Sequence, residues 1–167
     1  FYIYHDSVND ETNRKSGGDV KKFENCPNGI ISKLFKEANG NPAIKGLIEI
    51  TGNSGSGNEK LLPNIADSNW KSDYWASQDV ENSHIKIDFK NRLVKVNKYF
   101  LRIGNTNGDG PFQNWTLKCQ TEDNREIVLD EVSSNNEVVQ NRGEITRTIN
   151  IQEQPLIKSI TLTMKGK

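Results

Sequence analysis

In residues 83–89, "SHIKIDF", apolar and polar side chains alternate, and Ile85, Ile87 and Phe89 share one face. A period of two marks a strand with one buried and one solvated face. The pattern recurs in "KGLIEIT" (45–51), "RLVKVNKYFLRI" (92–103), "NWTLKCQT" (114–121), "EIVLDEV" (126–132), "EITRTINI" (144–151) and "LIKSITLTM" (156–164). β-Branched and aromatic residues dominate these runs, and clusters of Gly, Asn and Asp separate them. That order predicts short antiparallel strands rather than strand–helix–strand units, and so an all-β sandwich.

One stretch changes period. In "NGIISKLFKEANGNP" (28–42), Ile30, Ile31, Leu34, Phe35 and Ala38 fall at helical spacing. A short amphipathic helix over 28–39 is predicted, with Asn28 as N-cap, Gly40 as left-handed C-cap and Pro42 barring continuation. Ahead of it "FYIY" (1–4) reads as a strand, and residues 5–25 are polar with few apolar anchors. The chain therefore divides into a lead-in, 1–45, and a sandwich, 46–167, read together as one compact unit. "GNSGSGNEK" (52–60) reads as a flexible surface loop.

Composition narrows the partners. A chain of 167 residues suits one domain with a sizeable core, and its three Trp, four Tyr and six Phe sit in organised runs rather than in a disordered tract. Lys plus Arg balance Asp plus Glu, 22 to 22, which removes the general electrostatic attraction to nucleic acid or an anionic membrane. No run approaches the roughly 18 apolar residues that span a bilayer. Cys26 and Cys119 are too few for a disulfide scaffold, and Cys119 lies in a strand-like run as a small apolar residue. Two free thiols suit a reducing compartment, so a cytoplasmic location is expected. The chain opens on Phe1 without a charged-then-apolar leader and reads as a piece of a larger multidomain protein.

Candidate catalytic chemistry is sparse. His5 and His84 have no nucleophile-and-base signature around them and read as surface or structural histidines. No C-x-x-C or H-E-x-x-H spacing suggests zinc. Calcium needs only oxygen ligands, and Asp67 and Asp73 in "NIADSNWKSD" are its candidates. The Gly-rich loops at 52–57 and 104–110 do not open a helix with a following Lys-Ser/Thr, which leaves phosphate cradling unsupported. The "NWT" sequon at 114–116 opens a strand with a Trp at its centre, a poor place for a glycan. The acidic pairs Glu81/Asp88 and Asp130/Glu131 sit at strand edges without a cleft to set them across a sugar. The expected protein is not an enzyme.

The order of motifs resembles the discoidin, or coagulation factor 5/8 type C, domain family. "NIADSNWKSDYWAS" (64–77) looks like its Asn-Ala-x-Asp turn followed by Thr-x-Trp-x-Ser. "HIKIDF" (84–89) resembles its Trp-Ile-x-Ile-Asp-Leu/Phe strand, with His84 in place of the Trp. "YFLRIGNTNGDGPFQNWTLKCQTEDN" (99–124) is similar to its Tyr-x-Leu-Arg strand, long loop and Asn-Trp-x-Leu strand. The lead-in resembles the intracellular branch found beside BTB domains and ankyrin repeats. Two features depart from the pattern: Ile127 stands at a usual Trp, and residues 1–167 do not include the usual closing strand after "SITLTM", whose absence would be expected to leave an edge open to another chain.

This resemblance implies a galactose-binding-like jelly roll and a non-catalytic module that recognises a protein segment or a glycan through loops at one end. A carbohydrate-binding domain of a larger glycan-active protein is the alternative. The loops would be 52–60, 67–73 and 104–113, and the contact residues Asn69, Trp70, Lys71, Arg102, Asn107, Asp109 and Phe112. Trp70 would stack on a sugar face or grip a peptide. Trp75 and Trp115 would be core, with the Trp115 N–H on a carbonyl of the preceding loop and Asn114 bonding loop backbone. Arg102 would either reach a ligand or pair within its loop, for example with Asp109. No cofactor other than calcium is implied.

Overall fold

A computed structural model describes residues 2–4, 7–11, 24–26, 29–53, 59–67, 75, 77, 80–102, 113–134 and 144–165, the first three segments as strands only. The strands are β1 (Tyr2–Tyr4), β2 (Ser7–Glu11), β3 (Glu24–Cys26), β4 (Glu49–Gly52), β5 (His84–Asp88) and β6 (Leu93–Val94). They continue with β7 (Lys98–Arg102), β8 (Trp115–Thr121), β9 (Glu126–Val132), β10 (Glu144–Thr148) and β11 (Ile157–Met164). The fold is the expected all-β sandwich, built from antiparallel sheets.

In the larger sheet β11 lies between β5 and β8, with β4 beyond β5 and β9 beyond β8. β6 extends the β5 side, and β2 and β3 follow it. The smaller sheet sets β7 between β1 and β10. Alternation works as read: β5 and β7 each bury every second residue. Ile87, Leu117, Ile160 and Leu162 of the large sheet share one core with Tyr99, Leu101 and Ile145 of the small one. At about 25 cal/mol per Å² of apolar surface, burial of such side chains is the main force holding the sheets together.

The helix α1 (Ile30–Ala38) is capped differently from the expectation for 28–39. Gly29 holds the N-cap position, and Asn28 lies outside the described residues. The left-handed residue at the C-terminus is Asn39 (φ 52°) rather than Gly40. The Asn39 N–H bonds the Lys36 carbonyl and the Gly40 N–H the Phe35 carbonyl, the paired bonds of a Schellman end. Asn tolerates the left-handed region well enough to take the place of glycine. Ile30, Ile31 and Leu34 enter the sandwich core, and Glu37 holds the nearly buried Arg92 with two charge-assisted hydrogen bonds.

Three further details depart from the periodic reading. Residues 59–66 form a 3-10 helix, Glu59–Ala66, that buries Leu62, Ile65 and Ala66, so the expected 52–60 loop ends inside an ordered turn. The run 92–103 breaks into β6 and β7 around Lys95–Asn97. In β9, Cys119 pairs with Ile127 and Leu117 with Asp130, so Leu129 is an inserted residue, a β-bulge. The insertion turns Asp130 to the core side, where strict alternation from Ile127 would have sent it to solvent.

Candidate binding rim

Strand register determines which loops are neighbours. Gly52 ends β4 opposite Ile85, one residue from the start of β5 at His84, which itself faces Thr163 near the end of β11. Met164 pairs with Trp115 at the start of β8, and Trp115 with Val132 at the end of β9. In the other sheet Arg102 ends β7 opposite Glu144, the start of β10. In consequence the chain leaves the large sheet after Asn53 and Ser134 and re-enters it before Asn82 and Asn114 along one rim, while it leaves the small sheet after Arg102 and re-enters it before Glu144. Of the expected loops, 52–60 leaves the rim at Asn53 and 104–113 returns to it at Gln113, while of 67–73 Asp67 is described.

Backbone and amide groups join the roots of these loops. The Asn53 Oδ1 accepts the His84 N–H at 2.6 Å, and the Asn53 N–H bonds the His84 carbonyl at 3.2 Å. Asn82, in a left-handed turn (φ 62°), donates its N–H to the Met164 carbonyl at 3.0 Å. Weaker contacts at 3.4 Å run from Asn53 Nδ2 to the Asn82 carbonyl and from Lys165 Nζ to Asn82 Oδ1. The Lys165 N–H bonds the Asn114 carbonyl at 2.8 Å, and Asn114 Oδ1 accepts the Ser134 N–H at 2.8 Å. Asn114 thus bonds backbone as expected, though of the turn after β9. His84 is half-buried at this edge, its Nδ1 3.4 Å from the Asn82 carbonyl.

Both expected core tryptophans are buried. Trp115 is 0% and Trp75 2% exposed. The Trp115 indole N–H does not use a loop carbonyl: it donates to the Tyr99 hydroxyl at 2.8 Å. That hydroxyl donates to Asp130 Oδ2 at 2.7 Å, and Arg147 grips the same carboxylate through Nε at 2.6 Å and Nη2 at 3.1 Å. Tyr99 and Arg147 belong to the small sheet and Trp115 and Asp130 to the large one, so the network clamps the two sheets behind the rim. Burial, reinforced by the hydrogen bond to Asp130, pushes the Tyr99 hydroxyl well above its ordinary value. Burial alone would raise the Asp130 carboxyl, but its bonds with Arg147 and Tyr99 more than reverse that and leave it low. Trp75 lies across Gly52, where an added Cβ would come within 2.9 Å of its ring. Among the described residues its Nε1–H has no partner.

Of the expected contact residues, Arg102 is described. Its guanidinium pairs with Glu144 at 2.7 Å and lies 5.7 Å from the Phe100 ring centroid, with both charged side chains about two-fifths exposed. Glu144 is its cross-strand neighbour, a partner that register reveals and sequence proximity does not. Asn69, Trp70, Lys71, Asn107, Asp109 and Phe112 lie outside the described residues, as does Asp73 of the calcium pair. Asp67 ends the 3-10 helix segment, its N–H on the Asn64 carbonyl. Among the described residues no group of three or more His, Cys, Asp or Glu could hold a metal ion. Cys119 is a buried free thiol, pushed up to about 11 by burial. No described helix is long and apolar enough to cross a membrane.

No protein-family model matches the chain, and no curated protein matches it. Solved structures do. The family 32 carbohydrate-binding module of NanJ from Clostridium perfringens, in complex with galactose, aligns with a TM-score of 0.51 at 11% identity, over 73% of this chain and 84% of that one. The module CpGH89CBM32-5 from Clostridium perfringens, in complex with GalNAc-β-1,3-galactose, aligns with a TM-score of 0.50 at 17% identity, over 71% and 84%. At these identities the likeness shows the fold, a galactose-binding-like β-sandwich. The narrower resemblance to the BTB- and ankyrin-associated branch finds no support in it.

Proposed function

We propose that this protein is a non-catalytic glycan-binding module, part of a larger chain, that takes terminal sugars at the rim where its loops converge. The observation that carries the reading is that the β4 and β9 ends and the β5 and β8 starts meet at one edge of a galactose-binding-like sandwich. Structures of this shape have been solved with galactose and with GalNAc-β-1,3-galactose. Stacking by Trp70 and Phe112 and hydrogen bonds from Asn69, Lys71, Asn107 and Asp109 would carry affinity, with Arg102 held to Glu144 at the border. Aromatic side chains such as Trp70 and Phe112 among amide groups would suit a neutral ligand that offers one apolar ring face and several hydroxyls.

A glycan array followed by titration calorimetry with galactose and N-acetylgalactosamine tests the proposal. Binding to galactose-type termini that falls at least tenfold in Trp70→Ala, with folding spared, is the expected result. Flat signals across the array, together with capture of a peptide at the same rim, would move the reading to a protein-binding module. A large loss of stability in Trp70→Ala would assign that indole to the core.

A further inference from the structure

The hydrogen bonds along the rim do more than finish the strands. Two asparagine side chains occupy equivalent positions at its two ends. Asn53 follows the last residue of β4, and its Oδ1 accepts the first backbone N–H of β5 at 2.6 Å. Asn114 precedes the first residue of β8, and its Oδ1 accepts the Ser134 N–H, two residues past β9, at 2.8 Å. In both cases a side-chain oxygen accepts a backbone N–H where a strand pair runs out, at the Asn53–His84 pair beside the backbone bond that still links them and at Ser134 in the turn past β9. Between the two ends Asn82, Met164, Lys165 and the Asn114 carbonyl continue the sequence of bonds across β5, β11 and β8. A sheet whose strands simply ended would release each loop from a frayed terminus. Here the points of departure are held by short, well-directed bonds.

We infer that Asn53 and Asn114 are positioning residues for the rim: each fixes the root from which a loop departs and so presets the spacing of the groups that meet a sugar. The inference rests on the glycan reading for its ligand, but not for its geometry. Affinity gained by preorganisation is lost when a root loosens, even though neither asparagine needs to touch the ligand. Loss of one such constraint should weaken binding by about tenfold.

The experiment compares Asn53→Ala and Asn114→Ala with Asn53→Asp and Asn114→Asp, which keep the accepting oxygen. GalNAc-β-1,3-galactose is the probe, titrated well below each variant's melting temperature. Backbone amide exchange at His84 and Ser134 is measured on the same samples. The expected result is weaker binding and faster exchange at the matching amide in each alanine variant, with most of both recovered in the aspartate. Alanine variants that melt earlier but bind as the parent does would reduce these residues to structural ones and overturn the inference. So would aspartates as impaired as the alanines. If the parent itself ignores the probe, the glycan reading fails, and amide exchange decides alone. Faster exchange confined to the matching root supports positioning, and unchanged exchange overturns it.

Discussion

Tyr99→Phe removes one oxygen atom and keeps the buried ring, so it isolates the clamp between the sheets. In the parent that oxygen accepts from the Trp115 indole at 2.8 Å and donates to Asp130 at 2.7 Å. Without it a fully buried N–H loses this acceptor, at a cost of about 1–3 kcal/mol. Asp130 keeps both bonds from Arg147, so the loss on its side is the smaller share. The expected total is about 2–4 kcal/mol, which for a domain of this size lowers the melting temperature by roughly 5–15 °C. Urea unfolding followed by tryptophan fluorescence reads the change directly, and an unaltered denaturant slope would confirm that the native state stays compact. A cycle with Asp130→Asn should return a coupling of at least about 1 kcal/mol, because the two residues share one bond. A stability loss under about 0.5 kcal/mol for Tyr99→Phe would refute the argument.

The same clamp sets an acid limit. The Asp130 carboxyl is lower in the folded state than in the unfolded chain, so its contribution is complete above the ordinary carboxylate value near 4 and fades as pH falls through the folded value. Stability measured from pH 6 downward should fall more steeply in the parent than in Asp130→Asn; parallel curves would contradict this. Gly52→Ala should cost about 1–3 kcal/mol by driving a methyl to 2.9 Å from the Trp75 ring, and calorimetry showing no change would mean the indole shifts freely. Peptide-resolved alkylation at pH 8 should leave Cys119 unmodified in the folded protein and label it rapidly in denaturant, since burial pushes its thiol up to about 11. Rapid native labelling would show that β8 opens locally.

Period-two alternation made β5, β8, β10 and β11 legible, because one face of each is apolar and buried in the core while the other carries mainly polar, mostly half-buried side chains. The helix was legible too, although its left-handed end falls one residue early, at Asn39, where either residue of "NG" suits the turn. β2 and β3 were not visible in 5–25: their recorded pairing runs through backbone groups and does not require apolar side chains. The 3-10 helix hid because Pro63 and its brevity mimic a loop. The inserted Leu129 leaves no mark in "EIVLDEV", yet it decides that Asp130 faces inward and can find Tyr99 and Arg147. Trp115 and Trp75 were assigned to the core correctly, but the hydroxyl that satisfies Trp115 is 16 residues away and on the other sheet. For the rim, the loops were legible as Gly- and Asn-rich breaks. That they would lie at one end came from the family resemblance alone; which strand ends adjoin, and the pairing of Arg102 with Glu144, needed the strand register.

The helix between β3 and β4 has a practical consequence for anyone wishing to transplant the sandwich. Ile30, Ile31 and Leu34 act as a stopper driven into one end of the shared interior, fastened by Glu37 on Arg92. Excising the strands from residue 46 onward would withdraw three aliphatic side chains at once, each worth about 2–5 kcal/mol at a buried site, and leave a guanidinium without its counter-ion. That sum rivals the entire folding margin of an ordinary domain. A graft of this module into another protein should therefore begin upstream of Gly29.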